Sequence, residues 1–150
     1  MPNPIAHKQQ EQGLHGGATH VQIVSYSDLT DADTAQTFSQ LAVNAGDAVM
    51  VTQAELIEPF VFSDAAVTNL ALIVGDDGST NRYLTSTELA SVGTEVFVKG
   101  GALTNATIYQ YTAANTVDAT FTATGGNLNT ATAGKVAIYY RYVPKPANQV

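Results

Sequence analysis

Three histidines, His7, His15 and His20, are the first residues to test for chemistry, because imidazole both ligates metals and moves protons near neutral pH. A zinc site on His15 and His20 would need a third ligand such as Glu11 or Asp28. The spacing matches no recognised ligand pattern, and all three lie in or beside a polar N-terminal stretch that gives no rigid platform, so they read as solvated side chains. No serine sits in a Gly-x-Ser-x-Gly elbow, and a hydrolytic triad would have to draw its histidine from the same stretch. The chain has no cysteine, which removes disulfides, thiolate ligands and thiol nucleophiles together and leaves the redox compartment open.

The carboxylates offer two further possibilities. The run Asp76-Asp77-Gly78-Ser79-Thr80-Asn81 resembles the start of a calcium loop, and Glu88 falls twelfth from Asp77. Arg82 stands where the loop's glycine belongs, however, and Ser79 and Asn81 are weak ligands. The run therefore predicts a hairpin turn in which Asp and Gly supply left-handed conformations. Acid pairs for glycoside hydrolysis could come from Asp64, Asp76, Asp77, Glu88 and Asp118, with their separation in space deciding the matter. There is no tryptophan, so a sugar platform would fall to Tyr83, Tyr109, Tyr111, Tyr139, Tyr140 or Tyr142. Tyrosines in strands more often fill cores and interfaces. The pairs Gly100-Gly101 and Gly125-Gly126 lie between strands, with no following helix to receive a phosphate, and read as turns.

Composition narrows the class. At 150 residues the chain has room for one ordinary core. A net charge of −7, with the six basic residues Lys8, Arg82, Lys99, Lys135, Arg141 and Lys145 scattered, argues against nucleic-acid or anionic-membrane binding. Charged residues make up 13% of the chain, so its polar surface must come from Thr, Ser, Asn and Gln, a surface suited to packing against neighbours. No apolar run approaches the ~18 residues of a membrane span. The start, Met1 to Lys8, lacks the basic and hydrophobic regions of a secretory signal, and Met1 favours a protein that stays where it is made.

The elements that would position these residues are nearly all strands. Residues 117–123 alternate Val117, Ala119, Phe121 and Ala123 with Asp118, Thr120 and Thr122, one face for a core and one for water. Residues 68–74 put Leu70, Leu72 and Val74 on one face, and residues 135–143 do the same with Val136, Ile138, Tyr140 and Tyr142. Further strands are expected at 19–25, with Val21 and Ile23 together, and at 37–43, 48–52, 95–99 and 107–112. Residues 56–62 hold Pro59, which predicts an edge strand or a bulge. Residues 30–33 read as a turn, or a helical turn capped by Asp28 or Thr30. Residues 84–91 are the best helix candidate, with a Thr85-to-Glu88 capping box. About nine strands at 8- to 12-residue spacing predict an all-β fold, an antiparallel two-sheet sandwich of jelly-roll type. The domain spans residues 19–143. It is preceded by an arm, residues 1–18, whose apolar anchors are Ile5 and Leu14, and followed by a Pro-rich tail, residues 144–150.

Two segments carry a resemblance. ALIVGDDGSTNRYL at 71–84 and YTAANTVDATFTATGGNL at 111–128 are similar to "G-D-x-G-x-T-x-R" and "Y-T-A-A-x-T-V-D-A-x-F" strings of tailed-bacteriophage decoration, or cement, proteins. The resemblance implies a jelly-roll virion protein that sits outside the capsid as a trimer or dimer. It would bind the major capsid protein and stabilise its lattice without enzymatic activity or a cofactor. On that reading Ile5 and Leu14 are the capsid-contact candidates, as pegs of an arm that orders against the shell. A tail or head-fibre component and a carbohydrate-binding adhesive module are the alternatives.

Overall fold

The computed structural model describes residues 17–90 and 108–147, together with the backbone pairing of residues 97–98. Among these residues the chain is all β. Its strands are β1 (His20–Ser25), β2 (Ala35–Val43), β3 (Ala48–Phe62), β4 (Asn69–Asp76), β5 (Ser79–Glu88), β6 (Phe97–Val98), β7 (Tyr109–Gln110), β8 (Asn115–Thr124) and β9 (Ala131–Val143). One sheet runs β1-β9-β3-β6, with β7 also paired to β3, and the other runs β2-β8-β4-β5. The pairings are antiparallel. The β4–β5 hairpin stays in one sheet, whereas β1 to β2, β2 to β3, β3 to β4 and β8 to β9 each cross between sheets. This is the strand order of a jelly roll, and the expected two-sheet sandwich is the fold.

The core follows the period-2 pattern where the strands are regular. Val117, Ala119, Phe121 and Ala123 of β8 face Val136, Ile138 and Tyr140 of β9 across the sandwich, and Leu70, Leu72 and Val74 of β4 lie beside β8. Burial of these alternating side chains, at ~25 cal/mol per Å² of apolar surface, is the main force holding the two sheets together.

Two expected elements differ in the structure. Residues 48–52 and 56–62 are one strand, β3, whose pairing with β9 shifts between Val51 and Gln53 and again between Leu56 and Val61. Each bulge inserts a residue and flips the parity, so Val49 and Val51 face the core before the first shift and Ala54 and Leu56 after it. Residues 48–52 lie before that flip and are apolar on both faces because Ala48 and Met50 occupy the half-buried face, and Pro59 lies in the later irregularity, as a bulge rather than on an edge. Residues 84–88, expected to be helical, belong to β5. Thr85, Ser86 and Thr87 are weak helix formers, and a helix this short is marginal without a face to pack. The β4 edge supplies a better partner, and the Glu88 carboxylate, read as a capping-box residue, instead accepts the Leu70 and Ala90 N–H groups at 3.2 and 3.1 Å. Residues 32–34 form a bend, in keeping with the turn reading of 30–33, and a 3-10 turn lies earlier, at Tyr26–Asp28, where Asp28 accepts from the Ser25 N–H at 2.8 Å.

Candidate functional site

The two segments that carry the resemblance meet at one buried cluster. Asp76 ends β4, and its Oδ1 accepts the N–H groups of Gly78 and Ser79, each at 2.9 Å. These bonds close the hairpin. Neither Asp77 nor Gly78 adopts a positive φ, so the turn rests on the Asp76 side chain rather than on the expected left-handed conformations. Gly75 is required for a different reason: a Cβ there would collide with the backbone of Ser79 and Thr80. Arg82, returning along β5, donates through Nε to Asp76 Oδ2 at 2.6 Å. Its guanidinium lies 3.8 Å from the Tyr109 ring centroid.

Tyr111 completes the cluster from the second segment. Its hydroxyl donates to Asp76 Oδ2 at 2.9 Å and lies 2.7 Å from the Tyr83 hydroxyl. Its main chain is held as firmly, since the Tyr111 N–H donates to the Asp47 carbonyl at 2.8 Å and Gly46 N–H donates to the Tyr111 carbonyl at 2.7 Å. Asp47 anchors the other end of this belt. Its carboxylate accepts from the Tyr142 hydroxyl at 2.6 Å and from the Asn44 and Lys145 N–H groups, each at 2.8 Å.

The electrostatics are those of a structural lock. Burial alone would raise the Asp76 pKa, but hydrogen bonds from Arg82, Tyr111 and Ser79 outweigh it and hold the carboxyl below its ordinary value. The Tyr142 hydrogen bond, with those from Lys145 and Asn44, lowers Asp47 likewise. Burial pushes the Tyr83 hydroxyl up to about 12 and the Tyr111 hydroxyl higher still. A carboxylate whose lone pairs are taken by four donor groups has no capacity left to act as a general base, so the cluster fixes the hairpin to β7 and does no acid–base work.

The other sequence candidates are not gathered into a site. Among the described residues no three His, Asp or Glu side chains are placed to hold a metal ion. His20 stacks edge-on against Tyr142 at 5.6 Å, while His7, His15 and Glu11 lie outside the described residues. Asp76, Asp77 and Asp118, with Thr37, Thr80 and Thr120, line a shallow recess of about 210 Å³ on the β2-β8-β4-β5 sheet. Typical small-molecule sites occupy ~300–1,000 Å³. Of the six tyrosines considered for a sugar platform, Tyr83, Tyr111 and Tyr140 are buried in the core, and Tyr109, Tyr139 and Tyr142 are half-buried. Ile5 and Leu14 lie outside the described residues, as does Gly100-Gly101. Gly125-Gly126 is a turn, with Gly125 at φ +93°. Sequence reading missed the Asp76–Arg82–Tyr111 cluster; its signal was present in the Asp, Arg and Tyr of the two strings, without any indication that they touch.

No family model matches the chain, and no curated protein does. Among solved structures the chain is similar to one in the capsid asymmetric unit of cyanophage Pam1, at 24% identity over 87% of this chain and 89% of that one, with a TM-score of 0.48. It is also similar to one in the acidic stable capsid structure of Helicobacter pylori bacteriophage KHP30, at 16% identity over 85% and 90%, with a TM-score of 0.45. Neither likeness assigns the chain to a family.

Proposed function

We propose that the chain is a non-enzymatic virion structural protein that binds the outside of a phage capsid and stabilises the lattice of its major capsid protein. The observation that carries this reading is the junction of the two segments that resemble decoration proteins. Asp76 of the first and Tyr111 of the second are hydrogen-bonded at 2.9 Å, so the resemblance falls on residues that hold one fold together. The low-charge, Thr-rich surface supports it further, since such a surface packs against neighbours with little desolvation cost. In this reading the arm, residues 1–18, contacts the shell through Ile5 and Leu14, and residues 19–143 sit on its exterior as a homo-oligomer. A protein that binds only the expanded lattice stabilises that state by its differential affinity, and many copies multiply a small gain per site.

Cosedimentation of the purified protein with undecorated capsids, expanded and unexpanded, tests the reading. Saturable binding to the expanded form, with raised heat resistance of the shell, is the expected result. Absence of binding to either form would overturn it and turn attention to a fibre or a glycan-binding role.

A further inference from the structure

The sandwich has sheet edges, and β1 differs from the others. β2 is blunted by a bulge, its pairing with β8 shifting between Ser39 and Leu41. β5 carries Arg82 and Glu88 and shifts twice against β4. The third, beyond β3, is made of the two-residue strands β6 and β7. By contrast β1 pairs with β9 over six residues without a shift and contains no proline and no Lys, Arg, Asp or Glu. Among the described residues no strand pairs with its other side. It also holds two exposed β-branched side chains on one face, Val21 at 47% and Ile23 at 54%.

We propose that β1 is a self-association edge, through which two copies of the chain pair antiparallel about a two-fold axis at Gln22. That register alone gives two cross-strand apolar pairs on the exposed face: Val21 of each copy falls opposite Ile23 of the other, with Gln22 opposite its own copy. A slip of one residue sets Val21 and Ile23 opposite positions that project to the other face. A second copy is favoured over a charged partner because the strand is uncharged, so it offers nothing for a charged segment to recognise. Two molecules of charge −7 can still meet there without like charges facing each other. Pairing one short strand buries far less than the ~1,200 Å² of stable interfaces, so the dimer is weak, with a Kd of about 10 µM to 1 mM. Because both molecules are acidic overall, added salt strengthens the association by screening their repulsion. The inference does not rest on the virion reading, and its test involves no capsid.

Sedimentation equilibrium of the full chain is the experiment. The wild type is expected to move from monomer to dimer across that range. Val21→Lys with Ile23→Lys sets ammonium groups opposite each other across the axis and is expected to weaken association at least ten-fold. Val21→Lys with Ile23→Glu carries the same burden of substitution but sets opposite charges across the axis, and is expected to retain the dimer. Thermal melting of both variants near the wild-type midpoint shows that the fold is intact. A wild-type chain that stays monomeric at the highest concentration, one that forms a closed trimer, or equal behaviour of the two folded variants would each overturn the proposal.

Discussion

At the scale of residues, the Tyr111 hydroxyl both donates to Asp76 and receives the Tyr83 hydrogen, so its removal strands groups on either side. Tyr111→Phe is expected to cost about 1–2 kcal/mol in urea unfolding, as for a lost buried hydrogen bond. Asp76→Ala takes the acceptor from Arg82, Tyr111, Gly78 and Ser79 at once and is expected to cost roughly 3 kcal/mol or more. The two losses are expected to be non-additive in a double-mutant cycle, because they share one bond. pH acts through the same groups. Asp76 and Asp47 have folded-state pKa values depressed below their ordinary 3.8, so the stability they contribute is present above that value and lost as pH falls through the lower folded values. The melting temperature is therefore expected to drop below about pH 4, and to drop less in Asp76→Asn. Tyr83 has the opposite sign: raised to about 12, its contribution is complete below pH 10 and lost as pH climbs toward 12. Tyrosinate absorbance from Tyr83, Tyr111 and Tyr140 is expected at alkaline pH only as the protein unfolds.

At the scale of elements, bulges and close backbone approaches decide what the sequence pattern shows. Gly75 lies against the returning β5 backbone, and Gly75→Ala is expected to destabilise the hairpin by about 1–3 kcal/mol, measured by the denaturation midpoint. Gly134 of β9 sits at φ +131°, with the Phe60 ring of β3 over its Cα, so a side chain there is both strained and obstructed. The legible strands β4, β8 and β9 keep their large apolar side chains on one face: Leu70, Leu72 and Val74; Val117 and Phe121; Val136, Ile138 and Tyr140. β3 looks like two pieces in the sequence because its parity flips at a bulge, which no single-strand pattern records. The capping-box spacing of Thr85 and Glu88 points to a helix over residues 84–91, and in residues 84–88 the hairpin register with β4 overrides that local signal.

At the scale of the whole molecule, the jelly roll joins distant parts of the chain, β1 to β9 and β2 to β8 above all. Such non-local pairing predicts slow folding, on the order of milliseconds to seconds, measurable as the refolding limb in stopped-flow fluorescence of the tyrosines. The pairing also bears on where the chain can be shortened. Ala18 is buried, Thr19 N–H donates to the Tyr140 carbonyl at 2.8 Å, and Thr19 Oγ1 accepts from Tyr142 N–H at 2.9 Å. Removal through residue 19 is expected to lower the melting temperature, because it takes away these contacts.

The sequence by itself determined that the protein is an all-β sandwich, because alternating apolar residues every second position have only one way to leave water: as one face of a sheet pressed on another. It also determined the turns at Gly46, Asp77-Gly78 and Gly125, since each is marked by local turn residues. Tertiary structure alone decided that β3 is one strand, that residues 84–88 extend a hairpin, and that Asp76, Arg82 and Tyr111 form one cluster. Those outcomes depend on which strands lie side by side and in what register. Register is a property of pairs of segments that are far apart in the chain, and periodicity along one segment carries no information about its partner.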